Sequence, residues 1–375
     1  MTINPDDVAA APVEAVPAPV EKQSESASAP IAAEKESGNV EAEKPKSEDP
    51  TTAPTEALSN LNLSEKKTED ATAADSSTPV PAPQGPSTDT KPAPSPSSGP
   101  VWPETPADHP LTKFFSAVPD LVQEASHDEV YGIKLSPTAP FRTKLILQKF
   151  LRANQNDLEK AKQQLLETLQ WRKEFDPSKA VGETFAKERF DGLGYILEIE
   201  GVPESPNRRD VATFNVYGAV KDNQKTFGDL EAFLRWRVGL MERSIQKLNL
   251  SAATTPIPNY NEGPDPYQGF QIHDYLQVSF LRQDPVVKAA TKRTIEILGR
   301  YYPETLSRKF FVNVPVIMGW LYQATKLIVA KETAKKFTVL SYGNQLGLEL
   351  GRGMPKVYGG EAGELKDVGE AMGLE

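Results

Sequence analysis

The apolar pattern of this chain begins late and then changes period. Phe114, Phe115, Val118 and Leu121 predict a first helix starting near Leu111, after a proline-rich stretch at 103–110. Leu145, Leu147, Phe150 and Leu151 predict a second over 143–153. Leu158, Ala161, Leu165 and Leu169 recur every three or four residues and predict a third, which reaches Trp171 and Phe175 before Asp176-Pro177 ends it. Asn156 and Asp157 are suitable caps for that helix. These segments predict a small lobe of two or three antiparallel helices. From Leu193 the period becomes two, predicting strands over 192–200 and 210–220 with a turn-rich connector between them. A long helix over 227–250, a proline-rich loop, a strand over 269–276 and a helix over 284–301 follow. Next comes a strand over 309–314, opened by Lys309 and stopped by Pro315, which cannot donate to a ladder. A last strand runs over 337–340. Between these two strands Val316, Ile317, Trp320, Leu321, Leu327 and Ile328 leave apolar groups on most of a helix circumference. Such a helix needs apolar neighbours on both sides. It is either a buried crossover or a helix that alternates between covering a cavity and touching a membrane. Strands separated by helices predict an α/β protein with a mainly parallel sheet and covering helices.

Composition divides the chain. The first hundred residues hold no Phe, Tyr or Trp, 16 of the 33 prolines, and 17 acidic against 7 basic residues. Their net charge of −10 equals that of the whole chain, so the rest is balanced at 35 against 35. Without aromatic residues this stretch buries too little surface to offset its ordering entropy, and it reads as a disordered acidic spacer over 1–108. The expected organisation continues with a helical lobe at 109–180, the sheet domain at 181–362 and a C-terminal tail at 363–375. The balanced remainder lacks the strongly basic face that nucleic-acid binding wants. The absence of cysteine excludes disulfides, zinc–thiolate sites and thiolate nucleophiles. No signal peptide and no apolar run near the ~20 residues of a spanning helix is visible, which predicts a cytoplasmic protein that meets membranes peripherally.

Few residues carry candidate chemistry. His273 and Tyr275 are two apart on a predicted strand and share a face, with Asp274, Phe270 and Ile272 on the other. Phenolate is one of the few protein ligands of haem iron, so the pair reads either as a haem site or as two hydrogen-bonded polar residues. Arg237 falls on the apolar stripe of Leu230, Phe233, Leu234, Met241, Ile245 and Leu248, where a buried guanidinium must find an anion. That anion is either a protein carboxylate or a group supplied from a cavity. Tyr217 shares a face with Thr213 and Asn215 and lines the same space. Only three histidines are present, and no Gly-x-Ser-x-Gly elbow precedes a helix, so the chain reads as a non-enzyme.

Tyr302-Pro303-Glu304, Asn313-Val314-Pro315, Trp320, the run 335–340, the closing 355–360 and the segment 150–175 together resemble the CRAL-TRIO lipid-binding family. The resemblance covers roughly residues 110–360. It implies a gated apolar cavity over one face of the sheet, a phosphatidylinositol cargo, and headgroup contacts at Glu304, Thr333 and Lys336. The segments around Arg237, His273-Asp274-Tyr275 and 301–322 are similar to a fungal subgroup of phosphatidylinositol transfer proteins that bind haem. That similarity implies haem b, Tyr275 as its axial iron ligand, His273 in support, and Arg237 and Lys309 as cationic contacts. A tyrosine loses its proton near pH ~10, so ligation needs ferric iron and a nearby cation, a role open to Arg237. Asn154 departs from the pattern, because the subgroups place an arginine or a tyrosine there. The implied protein is a monomer or weak dimer that visits endoplasmic reticulum or microsomal membranes and serves phosphoinositide homeostasis or the oxidant-stress response. The alternative is a haem-binding stress protein without physiological lipid transfer.

Overall fold

The structure, a computed structural model, describes residues 99–278, 284–315 and 334–375. The chain divides into units Met1–Thr90 and Lys91–Glu375, and every element described here belongs to the second. The expected helix over 316–328 and Thr333 lie outside the described residues.

Four helices, α1 (Pro110–Ser116), α2 (Val118–Ala125), α3 (Pro140–Ala153) and α4 (Leu158–Phe175), build the lobe. The first expected helix is two, because Pro119 has no N–H to donate back to Phe115 and the chain restarts after Ala117. Helix α3 begins three residues earlier than expected, at Pro140, a residue preset for the first helical turn. Asp157 caps α4 by accepting from the Lys160 N–H at 3.1 Å, and Asp176 ends it in a left-handed conformation. A short hairpin of β1 (Glu129–Val130) and β2 (Ile133–Lys134) turns through Tyr131 and Gly132, both at positive φ. The Trp171 ring of α4 stacks on Tyr301 at 4.5 Å, which seats the lobe on the rest of the unit.

Next come α5 (Pro177–Val181), β3 (Thr184–Phe185), α6 (Lys187–Phe190), β4 (Gly194–Glu200), β5 (Arg209–Val216), α7 (Asn223–Phe227) and α8 (Leu230–Lys247). They are followed by β6 (Gly269–Asp274), α9 (Pro285–Tyr301), β7 (Leu306–Val312) and β8 (Phe337–Val339). The chain closes with α10 (Leu346–Leu350), α11 (Leu365–Val368) and β9 (Gly373–Leu374), the last paired in parallel with β3. The expected helix over 227–250 is interrupted by Gly228 and by Asp229, whose carboxylate caps α8 at the Ala232 N–H. The strand after Arg209 ends at Val216 and leaves Tyr217 in a 3₁₀ turn.

The main sheet has the order β4-β5-β6-β7-β8, antiparallel between β4 and β5 and parallel thereafter. Its register aligns Thr213, Gln271, Lys309 and Phe337 in one row and Asn215, His273, Phe311 and Val339 in the next, all on one face. The opposite face carries Phe214, Phe270, Ile272, Phe310 and Val312 and packs under Leu346, Leu350, Met354 and Tyr358. One side of the sheet is therefore a dry core and the other a row of polar groups ending in phenyl rings. Two expectations for β7 need correction. The strand starts at Leu306, so Lys309 lies mid-strand, and it ends at Val312 because Asn313 takes a positive φ of 58° before Pro315 is reached.

Candidate functional site

Helix α8 crosses the polar face with Arg237, Met241 and Ser244 on its buried side, where the spacing of four and three residues places them. The Ser244 and Thr213 hydroxyls meet at 2.6 Å. Gln271 Oε1 accepts from Arg237 Nη2 at 3.1 Å and from Asn215 Nδ2 at 3.3 Å, while its amide donates to the sulfur of Met241. Arg237 Nη1 is buried with no hydrogen-bond partner among the described residues. No described carboxylate pairs with this guanidinium, only 3% of which is exposed. The sequence leaves a protein carboxylate and a cavity-borne anion as alternatives; the described residues supply no such carboxylate.

At the C-terminal end of β6 the Tyr217 hydroxyl lies 2.8 Å from His273 Nδ1, and His273 Nε2 is buried without a partner among the described residues. The Tyr217 ring stands 5.2 Å from that of Tyr275, which in turn stacks beside Phe311 at 6.3 Å. Lys309 Nζ lies over the rings of Phe311 and Phe337 at 5.5 and 5.6 Å. Tyr217, Arg237, His273, Tyr275 and Lys309 thus converge on one face. Arg237 acts electrically on Tyr217, His273 and Lys309; Tyr275 feels burial and Tyr217. The sequence offers Arg237 as the cation for a Tyr275 phenolate, and the described contacts put it beside Tyr217 instead.

The electrostatics follow from burying positive charge without negative charge. Burial, aided by Arg237, brings the Lys309 ammonium down to about 7. Burial, then Lys309 and Arg237, hold His273 well below the usual imidazole value, so the ring is neutral. Burial pushes the Tyr217 phenol up to about 12, against the pull of Arg237, and raises Tyr275 well above the normal tyrosine range. A guanidinium and an ammonium repelling each other at low dielectric are costly unless a partner neutralises them. An anion placed between them would offset both charges.

This donor set can be tested against haem. Among the described residues no three His, Asp or Glu side chains converge on a point, so a bare metal ion would find too few ligands. A porphyrin brings four nitrogens of its own and asks the protein for an axial ligand, counter-charges for its carboxylates and flat apolar walls. Tyr275, the cations Arg237 and Lys309, and the rings of Phe311 and Phe337 offer all three. The residues fit the group.

Glu304 and Lys336, two of the residues assigned to a lipid headgroup, sit at the other end of the strands. Glu304, at a positive φ of 51°, precedes β7, and Lys336 precedes β8. Glu304 accepts from Gln268 Nε2 at 2.9 Å, lies 3.4 Å from Arg152 Nε and 3.5 Å from Lys336 Nζ. Lys336 also donates to the Leu306 carbonyl at 2.7 Å. Glu304 and Lys336 are thus brought together, apart from the His273 cluster. Asn154 closes α3 by donating to the Phe150 carbonyl at 2.9 Å and ties it to α4 through Gln164 Oε1 at 2.6 Å. Its departure from the family residue has a local structural use.

Sequence reasoning missed two residues of the site. Gln271 is the hub that holds Arg237, and its two-residue spacing from His273 was the available signal. Asp274 is placed by the pattern on the opposite face and given no role there. It accepts from the Leu276 N–H at 2.8 Å, from Asn313 Nδ2 at 2.7 Å and from the Tyr358 hydroxyl at 2.6 Å, and so fixes the end of the strand that carries Tyr275.

The comparisons agree with this architecture. The family model described as CRAL/TRIO domain matches residues 208–360, and that described as CRAL/TRIO, N-terminal domain matches residues 110–167. Phosphatidylinositol transfer protein SFH5 of Phaeosphaeria nodorum is 68% identical over 318 residues, covering 85% of this chain and 95% of that one. The protein of the same name from Cryptococcus neoformans var. neoformans is 48% identical over 278 residues, covering 71% and 92%. A solved structure described as a crystal structure of Sfh5 matches with a TM-score of 0.60 at 29% identity, over 70% of this chain and 90% of that one. These relatives are named as transfer proteins, and the chain is not an enzyme.

Proposed function

The chain belongs to the CRAL/TRIO family, and from that premise we propose that it is a phosphatidylinositol transfer protein whose sheet face also binds haem b through Tyr275. The observation that carries the haem reading is the pair of buried nitrogens on that face with no partner among the described residues, Arg237 Nη1 and His273 Nε2, beside the half-buried Lys309. Haem supplies iron, which Tyr275 would hold, and two carboxylates, which Arg237 and Lys309 would neutralise. Phe311 and Phe337 would exclude water from the ring faces. The lipid reading is supported by the relatives' names and by Glu304 and Lys336, which hold an oriented acceptor and a cation where a phosphorylated, hydroxyl-rich headgroup needs both. At ~0.8 kcal/mol per buried methylene, two acyl chains cost on the order of 20 kcal/mol to expose, so a carrier must enclose them. On this reading the protein is a cytoplasmic monomer or weak dimer that visits endoplasmic reticulum membranes and serves phosphoinositide balance or the response to oxidants.

One observation favours the alternative of a haem-binding stress protein without physiological lipid transfer. Glu304 is already held by Gln268, Arg152 and Lys336, whereas the Arg237 and His273 end retains groups unsatisfied among the described residues. The test is to purify the protein from haem-supplied cells and record its absorption and its transfer of labelled phosphatidylinositol between vesicles. A Soret band lost in Tyr275→Phe, with transfer lost in Lys336→Ala and not in Tyr275→Phe, supports both functions. A coloured protein with no transfer supports the alternative. A colourless protein removes the haem reading.

A further inference from the structure

We infer that Lys149, inside the helical lobe, is a positioning residue for headgroup recognition: its ammonium holds the main chain of Glu304 in the left-handed conformation that turns that carboxylate toward Lys336. The inference rests on the lipid reading above and names the residue that aims its acceptor. Four observations carry it.

The first is the backbone of Glu304. Its φ of 51° lies in a region that glycine, asparagine and aspartate favour and a glutamate enters at a cost. Such a conformation persists only where the surroundings hold it. The second is what holds it. Lys149 Nζ lies 2.9 Å from the Glu304 carbonyl, 2.8 Å from the Tyr267 carbonyl and 2.7 Å from Asp265 Oδ2. An ammonium has three hydrogens and no lone pair, so these acceptors exhaust it and the direction of every bond is settled. The side chains of Lys149 and Asp265 are fully enclosed, so solvent does not take over these bonds.

The third is the path from the clamp to the carboxylate. Asp265 Oδ1 accepts from the Tyr267 N–H at 2.8 Å, which folds the loop before β6 around the ammonium. The next residue, Gln268, donates from Nε2 to the Glu304 carbonyl at 3.3 Å and to its Oε2 at 2.9 Å. Main chain and side chain of Glu304 are thereby tied to one loop. The fourth is the lobe face. Arg152 stands one turn along α3 from Lys149, donates to the Pro258 and Asn259 carbonyls at 2.9 Å and lies 3.4 Å from Glu304 Oε2. One helix therefore grips one residue of the sheet domain at both its carbonyl and its carboxylate. Lys336, 3.5 Å from Glu304, comes from the opposite side, just before β8. Release of Lys149 lets Glu304 relax to a negative φ, which swings its Cβ and parts the acceptor from the cation that a phosphorylated, hydroxyl-rich headgroup needs beside it.

The experiment uses the full chain and a paired change, Lys149→Met with Asp265→Asn, which removes the clamp without leaving a buried charge. The ¹³C shifts of Cα and Cβ at Glu304, identified with Glu304→Gln, report its backbone. Transfer of labelled phosphatidylinositol between phosphatidylcholine vesicles reports the headgroup contact. The wild-type shifts should be those of a left-handed residue, and in the paired variant they should move to those of a negative φ. Transfer should fall by about tenfold or more, the weight of one hydrogen bond to a charged group. It should fall no further when Glu304→Ala is added, whereas a lysine that only stabilises the fold would give losses that multiply. A wild-type Glu304 outside the left-handed region, unchanged shifts in the paired variant, or losses that multiply overturns the inference. Where the paired variant does not fold, a scalar coupling from Lys149 ¹⁵Nζ to the Glu304 carbonyl carbon in the wild type supports the clamp and its absence overturns it. A wild type that transfers no phosphatidylinositol, with Glu304 still shifted in the paired variant, refutes the lipid reading and leaves the hold of Lys149 on Glu304 standing.

Discussion

Tyr358 donates a 2.6 Å hydrogen bond to Asp274 Oδ2 across the dry side of the sheet, directly behind the strand that presents His273 and Tyr275. Asp274 Oδ1 takes the Leu276 N–H and Asn313 Nδ2, and Asn313 in turn accepts from the Gly343 N–H at 2.7 Å. A buried carboxylate is tolerated here because donors from the turn after β6, the residue after β7 and the C-terminal segment surround it. Its anchoring of β6 is what gives Tyr275 a fixed direction.

Removal of one member of this network should be felt unequally. Tyr358→Phe deletes one donor to a charged acceptor and should cost about 1.5–3 kcal/mol. Asp274→Ala strands a tyrosine hydroxyl and an asparagine amide at once and should cost more than Tyr358→Phe. Urea unfolding of both variants and their combination checks this. The double variant should fall short of the sum of the single losses by at least about 0.5 kcal/mol; full additivity would mean the two groups do not act together.

Lys149 and Asp265 form a fully enclosed pair at 2.7 Å, and Lys149 Nζ also donates to the carbonyls of Tyr267 and Glu304. Helix α3 is thereby bolted to the loop before β6 and to the residue proposed for a lipid headgroup. Lys149→Met leaves the Asp265 carboxylate buried without its cation and should cost about 3–5 kcal/mol. Lys149→Met with Asp265→Asn should recover part of that loss, because the uncompensated charge is gone. A loss within about 0.5 kcal/mol of zero for the single change, the size of an ordinary surface substitution, would show that water reaches Asp265.

How much of this was legible in the sequence depends on whether local pattern or tertiary pairing set the feature. The period change near Leu193 and the apolar stripe of α8 are local, and the sheet and Arg237's burial follow from them. Helix breaks at Pro119 and at Gly228-Asp229 are also written in the chain, but the apolar period runs straight through them and hides them. Pro315 is the residue that the rule for strand ends marks at the close of β7, although Asn313 takes the left-handed conformation first. Pairings such as Tyr217 with His273 or Lys149 with Asp265 join residues 56 and 116 positions apart. No periodicity reports such pairs; they appear only once the strands and helices that carry them are docked.

Lys309 makes the unliganded protein's stability depend on pH in a definite direction. Its ammonium comes down from the usual 10.5 to about 7 on folding, with Arg237 as the charged neighbour and His273 facing it neutral. Between about pH 7 and 10 the unfolded chain holds a proton that the folded chain has released, so stability rises with pH across that window and the penalty is largest below it. Lys309→Met should flatten this dependence, as read by urea midpoints at about pH 6.5, 8 and 9.5, which run from just below the window to near its upper end. An anion bound beside Lys309 should restore the proton. Ligation by Tyr275 sheds its phenolic proton, so near pH ~8 the proton regained by Lys309 should offset that release, and haem uptake by Lys309→Met should release about one proton more than uptake by the wild type, detectable by calorimetry in two buffers of different ionisation enthalpy.

Arg237 should show a conflict between stability and binding. In the unliganded protein its guanidinium is buried, repelled by Lys309 and paired only with the neutral Gln271 among the described residues. Methionine fills similar volume without the charge, and replacing uncompensated buried charge by apolar volume is worth about 1–4 kcal/mol. The gain is reduced because Gln271 Oε1 loses a donor and keeps only Asn215. Arg237→Met should therefore raise the urea midpoint while weakening an anionic ligand such as haem by about tenfold or more, equivalent to ~1.4 kcal/mol. Arg237→Lys should keep part of the affinity and lose the stability gain, since the ammonium retains the charge but not the fork that reaches Gln271. A less stable Arg237→Met protein with unchanged affinity would mean that the guanidinium is a structural strut for Gln271 and that the anion is bound elsewhere.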